Sequence, residues 1–283
     1  MKIALLTCDL YPNLIDTESR LVRDFALRGI EAQPIVWDKV WDYSPFDLVV
    51  LRNTWDYYKK PEIFSKWLAY VEAQGVPLVN PVSTVRWNMD KMYLKELEEC
   101  GVNIVPSVFL PKVELRRCSG MIREAGWEKI IVKPSISAGS WHTYLFEKEE
   151  LQEKFEMVSS LAQDHDLIIQ KFMDTVVCGG EFSYIFFNGI FQYAVNKKPE
   201  SGDFRVQKDY GGKYVVHRPD SKELEVVMGI LDKVKHPYSY ARVDGVWEDD
   251  FYLMEIELIE PDLYLDKFPG AYDSYVEAMI GNI

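Results

Sequence analysis

Three carboxylates and an arginine alternate along the stretch Tyr240–Leu263, YARVDGVWEDDFYLMEIELIEPDL. The stretch reads as two strands, Tyr240–Trp247 and Phe251–Ile259, around a tip at Asp249 and Asp250. Simple pairing across that tip sets Asp244 opposite Glu255 and Arg242 opposite Glu257. Side chains alternate faces along a strand, so these four share one face. Opposed carboxylates repel each other, and three on one face attract a cation. Oxygen-only ligands suit Mg²⁺ or Mn²⁺, with substrate phosphates completing the shell. The same spacing serves a solvated hairpin face equally well, with Met254, Ile256 and Leu258 packed behind it.

Phosphate chemistry also needs cations, and several stand at strand ends or in loops. Lys129–Lys133 (KIIVK) is an apolar strand closing on Lys133-Pro134. A lysine there either snorkels to water or meets an anion. The following loop, Ser135-Ile136-Ser137-Ala138-Gly139-Ser140-Trp141, is small enough for backbone N–H groups to cradle a phosphate. It is not a Walker A loop, and a Ser-rich turn before Thr143–Phe146 explains it as well. Arg205 lies in Gly202-Asp203-Phe204-Arg205, ahead of Gly211-Gly212, within reach of a phosphoryl group or simply on a solvated loop. Lys91 falls on a helix read from Ser83 to Gly101. Asp166–Phe172 is a strand whose polar end, Gln170-Lys171, offers backbone to a planar base.

The elements that position these groups follow from periodicity. Lys2–Thr7, Glu31–Trp37, Asp47–Leu51 and Val76–Val79 read as strands, with helices over Thr17–Arg28 and Pro61–Ala73 between them. Alternating β and α at this spacing predicts a small parallel sheet with helices on both faces. Ligands sit beyond the carboxyl ends of such strands. Arg52, Trp55, Asp56 and Tyr57, just past Leu51, are therefore candidates for a small zwitterion or carboxylate; a loop anchored by a buried Trp is the alternative. Lys148–Ala162 reads as an amphipathic helix. Gly179–Asn188 and Ile190–Lys198 form a hairpin about Asn188-Gly189, the strongest turn signal in the chain. Helices over Ser221–Val234 and around Tyr272–Met279 complete it.

Composition narrows the function classes. The chain has 283 residues, 48% hydrophobic and 14% aromatic, enough for real cores. Its 32 basic and 45 acidic residues leave −13, which argues against nucleic acid or an anionic membrane as partner. No run approaches the ~20 apolar residues of a membrane helix. Cys8, Cys100, Cys118 and Cys178 are scattered, as in a reducing cytoplasm. No histidine carries an obvious role.

Taken in order, these pieces resemble the ATP-grasp superfamily, in particular prokaryotic glutathione synthetases and their relatives. The resemblance runs through Lys91, Lys133-Pro134, Gln170-Lys171-Phe172-Met173, Glu181, Gly202-Asp203-Phe204-Arg205 with Gly211-Gly212, Arg242-x-Asp244 and Glu255-x-Glu257. Arg52-x-Thr54-Trp55-Asp56-Tyr57 and Glu257-Leu258-Ile259-Glu260-Pro261 are similar to a branch that includes an O-ureido-serine cyclo-ligase. The resemblance implies an α/β chain, α+β toward its C-terminus. Its parts would be a small parallel α/β domain (1–80), a linker helix and strand (81–110), a lid (111–174) and an antiparallel catalytic subdomain (175–283).

It also implies an ATP-dependent ligase working through an acyl phosphate on a small amino-acid-like substrate. Lys91 and Lys133 would then hold the ATP phosphates beneath the loop that contains Ser135, Ala138, Gly139 and Ser140. The backbone of Gln170, Lys171, Phe172 and Met173 would take the adenine, and Glu181 the ribose. Asp244, Glu255 and Glu257 would bind Mg²⁺ or Mn²⁺, while Arg205 and Arg242 stabilise the transferring phosphoryl. Arg52, Trp55, Asp56, Tyr57 and Glu260 are the candidate substrate contacts. Glu257 departs from the family, where Asn is frequent, and adds negative charge. An intramolecular cyclo-ligase, a small-molecule kinase and a catalytically silent nucleotide-binding module are the other readings. A homodimer is the expected assembly.

Overall fold

The computed structural model describes residues 1–111 and 126–281. Cys118 and part of the expected lid lie outside the described residues. Three sheets organise the rest. β1 (Lys2–Thr7), β2 (Glu31–Val36), β3 (Leu48–Asn53) and β4 (Leu78–Val79) form a parallel sheet in the order β2-β1-β3-β4. β1 and β3 are largely apolar on both faces, as parallel strands between helix layers must be, while the edge strand β2 leaves Glu31 and Gln33 exposed. Ile3 and Leu5 pack toward Leu21, Phe25 and the C-terminal helix Ala271–Ile280. Ala4 and Leu6 pack toward Phe64, Trp67 and Leu68 of the helix Pro61–Gln74.

β5 (Ser107–Leu110), β6 (Lys129–Pro134), β7 (Tyr144–Glu147) and β8 (Leu167–Lys171) make an antiparallel sheet in the order β5-β8-β6-β7. β5, expected as linker, is a full member of this sheet. Ile130 and Val132 pack against Val158 and Ala162 of the helix Phe155–Asp164, so the alternate residues Ile131 and Lys133 turn to the cavity described below. The expected helix over 148–162 is two helices, Glu150–Glu153 and Phe155–Asp164.

The third sheet is antiparallel: β9 (Glu181–Phe187), β10 (Ile190–Lys198), β11 (Lys213–His217), β12 (Tyr240–Trp247) and β13 (Phe251–Glu257), in the order β11-β10-β9-β12-β13. One face packs on the helices Tyr93–Glu99 and Ser221–Leu231. The other continues the core of the parallel sheet at one end, through Ile185, Tyr193 and Tyr240. At its other end it is polar, and the site lies there.

Several expectations are corrected. The helix over 17–28 is two short helices, Asp16–Ser19 and Leu21–Ala26, meeting at Arg20. The helix expected from Ser83 is also two, Val82–Met89 and Tyr93–Glu99; Ser83 lies inside the first and caps nothing. Lys91 therefore sits in the break between them, its backbone N–H bonded to the Ser135 carbonyl at 3.0 Å. β3 runs on to Asn53, which carries Arg52 into the core. Among the described residues no helix is long and apolar enough to cross a membrane.

Candidate active site

The register expected for the acidic hairpin is present: Arg242 faces Glu257 and Asp244 faces Glu255. It arises differently, however. The loop has three residues, Glu248–Asp250, closed by Glu248 N–H to the Asp250 carbonyl at 3.0 Å. A bulge then shifts the pairing between Asp244 and Gly245, restoring the carboxylate pair. The bulge brings Met254 onto the same side as Glu255, where both line the cavity; Met254 does not pack behind the hairpin as expected. Gly245 permits this, because a Cβ there would lie 2.5 Å from the Tyr252 carbonyl and against the Phe251 ring.

β13 is the edge of its sheet, and buried edge groups need partners. Side chains supply them. Tyr93 Oη bonds both the N–H and the carbonyl of Ile256, at 2.8 and 2.9 Å. Asn88 bonds the Ile256 carbonyl at 2.7 Å and the Leu258 N–H at 2.8 Å. Asn80 Nδ2 donates to the carbonyls of Leu258 and Tyr240 at 2.8 and 2.9 Å. These contacts fix the backbone from which Glu255 and Glu257 project.

The hairpin floors a cavity of about 590 Å³ between the three sheets. Ligand oxygens of Asp244, Glu255 and Glu257 lie within 4.8 Å of one another. Glu255 and Glu257 line the cavity, whereas Asp244 lies just below its surface. Arg242 bridges the group, 2.8 Å from Asp244 and 2.6 Å from Glu257. Asp244 also accepts from Ser183 Oγ at 2.5 Å. Lys197 stands 3.5 Å from it while bonding Glu181. Lys91 holds the Ser137 carbonyl and lies 3.5 Å from Glu255.

The charges are strongly coupled. Burial pushes Glu255 up, but Lys91, Lys133 and Arg242 outweigh it and hold the carboxyl at about 2. Burial pushes Glu257 well above the usual range; Arg242 opposes this, and the charges of Glu255 and Asp244 add to it. Burial lowers Lys133 to about 8, with Glu255 opposing and Lys91 adding repulsion. Crowded all-oxygen donors of this kind fit a hard divalent cation such as Mg²⁺ or Mn²⁺, which would relieve the repulsion.

Most of the expected site residues line this cavity: Lys91, Lys133, Ala138, Gly139, Ser140, Gln170–Met173, Glu181, Arg205, Arg242, Glu255, Glu257, Trp55 and Glu260. Arg205 is held in a fork by Asp203, 2.7 Å away, over the Tyr210 ring. The N–H groups of Lys171 and Phe172 are committed to the carbonyls of Pro106 and Lys129, so a base at this edge would use other backbone groups of the segment.

Four expected residues lie elsewhere. Ser135 is buried beside the cavity, its carbonyl holding Lys91; Ser137 lines the cavity in its place. Arg52 is fully buried and paired with Glu18. Asp56 accepts from the Trp37 indole at 2.6 Å and pairs with Lys60 at 3.0 Å. Tyr57 is buried on Phe64, ring centroids 4.7 Å apart. A cation just past a strand served as the signal for Arg52, but the strand is two residues longer than its apolar run. Ser137 of the expected phosphate loop and Tyr58 of the strand-exit stretch also reach the cavity, as do Lys197, Tyr11 and Asp262, which were not anticipated. For Lys197 simple pairing about Asn188-Gly189 gives no signal, since it sets Glu181 opposite Asn196; a shift between Phe191 and Tyr193 brings Lys197 there instead.

Comparison with known proteins agrees with this geometry. Residues 3–80 match a family model described as the N-terminal domain of D-cycloserine synthetase DcsG. The cycloserine biosynthesis protein DcsG of Streptomyces lavendulae is 26% identical over 261 residues, 84% of each chain. A crystal structure of D-cycloserine synthetase DcsG superposes with a TM-score of 0.87, at 23% identity and 99% coverage of both chains. D-alanine–D-alanine ligase from Bacillus anthracis superposes at 0.71, with 18% identity over 100% of this chain and 97% of that one; a second structure of that enzyme is complexed with ATP. Three sheets in this order around one charged cavity give the chain the fold of these solved ligases, and its sequence is similar to the cycloserine biosynthesis protein over 84% of its length.

Proposed function

We propose that the chain is an ATP-dependent ligase that activates the carboxylate of a small amino-acid-like substrate and joins it to a nitrogen nucleophile. The observation that carries this is one cavity in which Lys91, Lys133, Arg205 and Arg242 face the Glu255–Glu257 carboxylates. The cations suit phosphates, and the carboxylates suit Mg²⁺. Phosphoryl transfer needs positioning and charge neutralisation more than a proton shuttle, and no histidine is required.

In this account Lys91 and Lys133 grip the phosphates, Asp244, Glu255 and Glu257 hold Mg²⁺, and Met173 with its neighbours receives the base. The metal supplies charge neutralisation between phosphate oxygens. A substrate carboxylate oxygen takes the γ-phosphoryl group and ADP departs. Nitrogen then attacks the activated carbonyl, and inorganic phosphate leaves. Arg242, fixed by Asp244 and Glu257, is placed to stabilise the oxygen charge that develops on the carbonyl. Arg205 approaches from the opposite loop.

A second reading, intramolecular closure with the nucleophile on the same molecule, is favoured by the match of residues 3–80 to the D-cycloserine synthetase domain. Mass analysis of products from ATP, Mg²⁺ and amino-acid derivatives tests both. Condensation joins two molecules, whereas closure removes one water from a single molecule. A persistent phosphorylated product would instead indicate a kinase.

A further inference from the structure

The segment Ile259–Leu263, which follows β13, has no strand ladder of its own. Five successive carbonyls are nevertheless held by side chains from four parts of the fold. Tyr240 Oη takes Ile259 at 2.7 Å, the Trp55 indole takes Glu260 at 2.8 Å and Arg52 takes Pro261 at 3.3 Å. Arg242 takes Asp262 at 3.0 Å, and Tyr193 Oη takes Leu263 at 2.8 Å. Arg52 is itself locked by Glu18. Irregular backbone pinned at every carbonyl is a rigid mount.

What the mount presents is Glu260. This residue is 7% exposed and lines the cavity. Among the described residues no cation comes within ion-pair distance of its carboxyl; it is steadied by its own backbone N–H. Lys91 and Arg242 act on it from a distance and are bonded elsewhere. Burial raises it to about 8, as for a buried carboxyl that no described residue pairs with. Tyr11 and Trp55, edge to face at 5.6 Å, line the same cavity. A carboxylate beside aromatic faces attracts an ammonium and repels phosphate. The phosphate-gripping lysines belong to other strands and loops.

We propose that Glu260 is the receptor for the ammonium group of the amino-acid substrate, with Trp55 and Tyr11 as its aromatic wall. This rests on the ligase reading for the rest of the cavity. The test is calorimetric titration of the whole chain, loaded with Mg²⁺ and a non-hydrolysable ATP analogue. The probes are D- and L-alanine and D- and L-serine beside propionate and 3-hydroxypropionate, which lack the amine. An amine-bearing probe should bind about 10- to 100-fold more tightly than its amine-less counterpart, and Glu260→Gln should erase that preference while nucleotide binding stays unchanged. Equal binding of the two series, binding of neither, or an undiminished preference in Glu260→Gln would overturn the inference. If that variant does not fold, the wild-type preference alone decides. Failure to bind the nucleotide analogue would instead overturn the ligase reading.

Discussion

At the scale of single residues, the site is a set of mutually repelling carboxylates held together by arginine and lysine. Glu255 is the most exposed to this balance, since Lys91, Lys133 and Arg242 all act on it. Glu255→Gln should lower phosphate release about 100-fold or more with the fold intact, as checked by turnover assay and far-ultraviolet circular dichroism; wild-type turnover would refute the metal assignment. Arg205 is oriented by Asp203, which it holds down at about 2. Asp203→Asn should loosen that fork and reduce kcat about tenfold while KM for the amino acid changes little. Glu260 supplies a pH prediction. Its folded value, about 8, lies above its ordinary 4.5, so folding takes up a proton. Its contribution to stability is full below about pH 4.5 and is lost as pH rises through about 8. Glu260→Gln should therefore gain stability relative to the wild type between pH 5 and pH 9, by on the order of a few kcal/mol. Scanning calorimetry at both ends would show it, and no gain would mean the carboxyl is not buried as described.

At the scale of elements, the site depends on a bulge and on a buttressed edge. Gly245→Ala would force a Cβ against Phe251 and the Tyr252 carbonyl, costing about 1–3 kcal/mol and displacing Glu255. A lower Tm with a disproportionate loss of turnover is expected; an unchanged Tm would argue against the bulge. Asn88→Ala should cost about 2 kcal/mol in denaturant unfolding, because it strands the buried Leu258 N–H just past β13, while the Ile256 carbonyl keeps Tyr93 Oη. These elements also show what the sequence could reveal. Apolar runs located the strands of the parallel sheet and of the Asn188-Gly189 hairpin to within two residues at each end, because burial and turn chemistry are local. The Arg242–Glu257 pairing was legible too, but through two compensating features, a longer loop and a bulge, neither of which leaves a periodic trace. The hairpin of β9 and β10 has a shift between Phe191 and Tyr193, which hid the Lys197–Glu181 pair. Arg52 was misplaced for the converse reason: a buried guanidinium is matched by Glu18, 34 positions away, and no local pattern announces that pairing. Asn80, Asn88 and Tyr93 looked like boundary or helix-face residues, yet their partners are backbone groups of a strand more than 150 positions on.

At the scale of the whole molecule, a chain of net charge −13 concentrates cations around one cavity walled by three sheets. The parallel domain contributes Trp55 and Tyr58, the sheet of β5–β8 contributes Lys133 and its loop, and the large antiparallel sheet contributes the acidic floor. Trp141 of the loop touches Tyr58 across the opening, ring centroids 5.4 Å apart. Every part therefore meets at the place where phosphate, metal and substrate would be held. In the proposed function this cavity uses ATP to activate a carboxylate in a metal-dependent way. The most direct test incubates the purified chain with ATP, Mg²⁺ and amino-acid derivatives, including ones that carry an internal nucleophile, and follows ADP, free phosphate and product mass together. ADP and free phosphate are expected in equal amounts, with a condensed or ring-closed product, and all three should be abolished by EDTA or by Glu255→Gln. ATP consumption that proceeds undiminished in EDTA, or that leaves a stable phosphorylated product and no free phosphate, would contradict the proposed function.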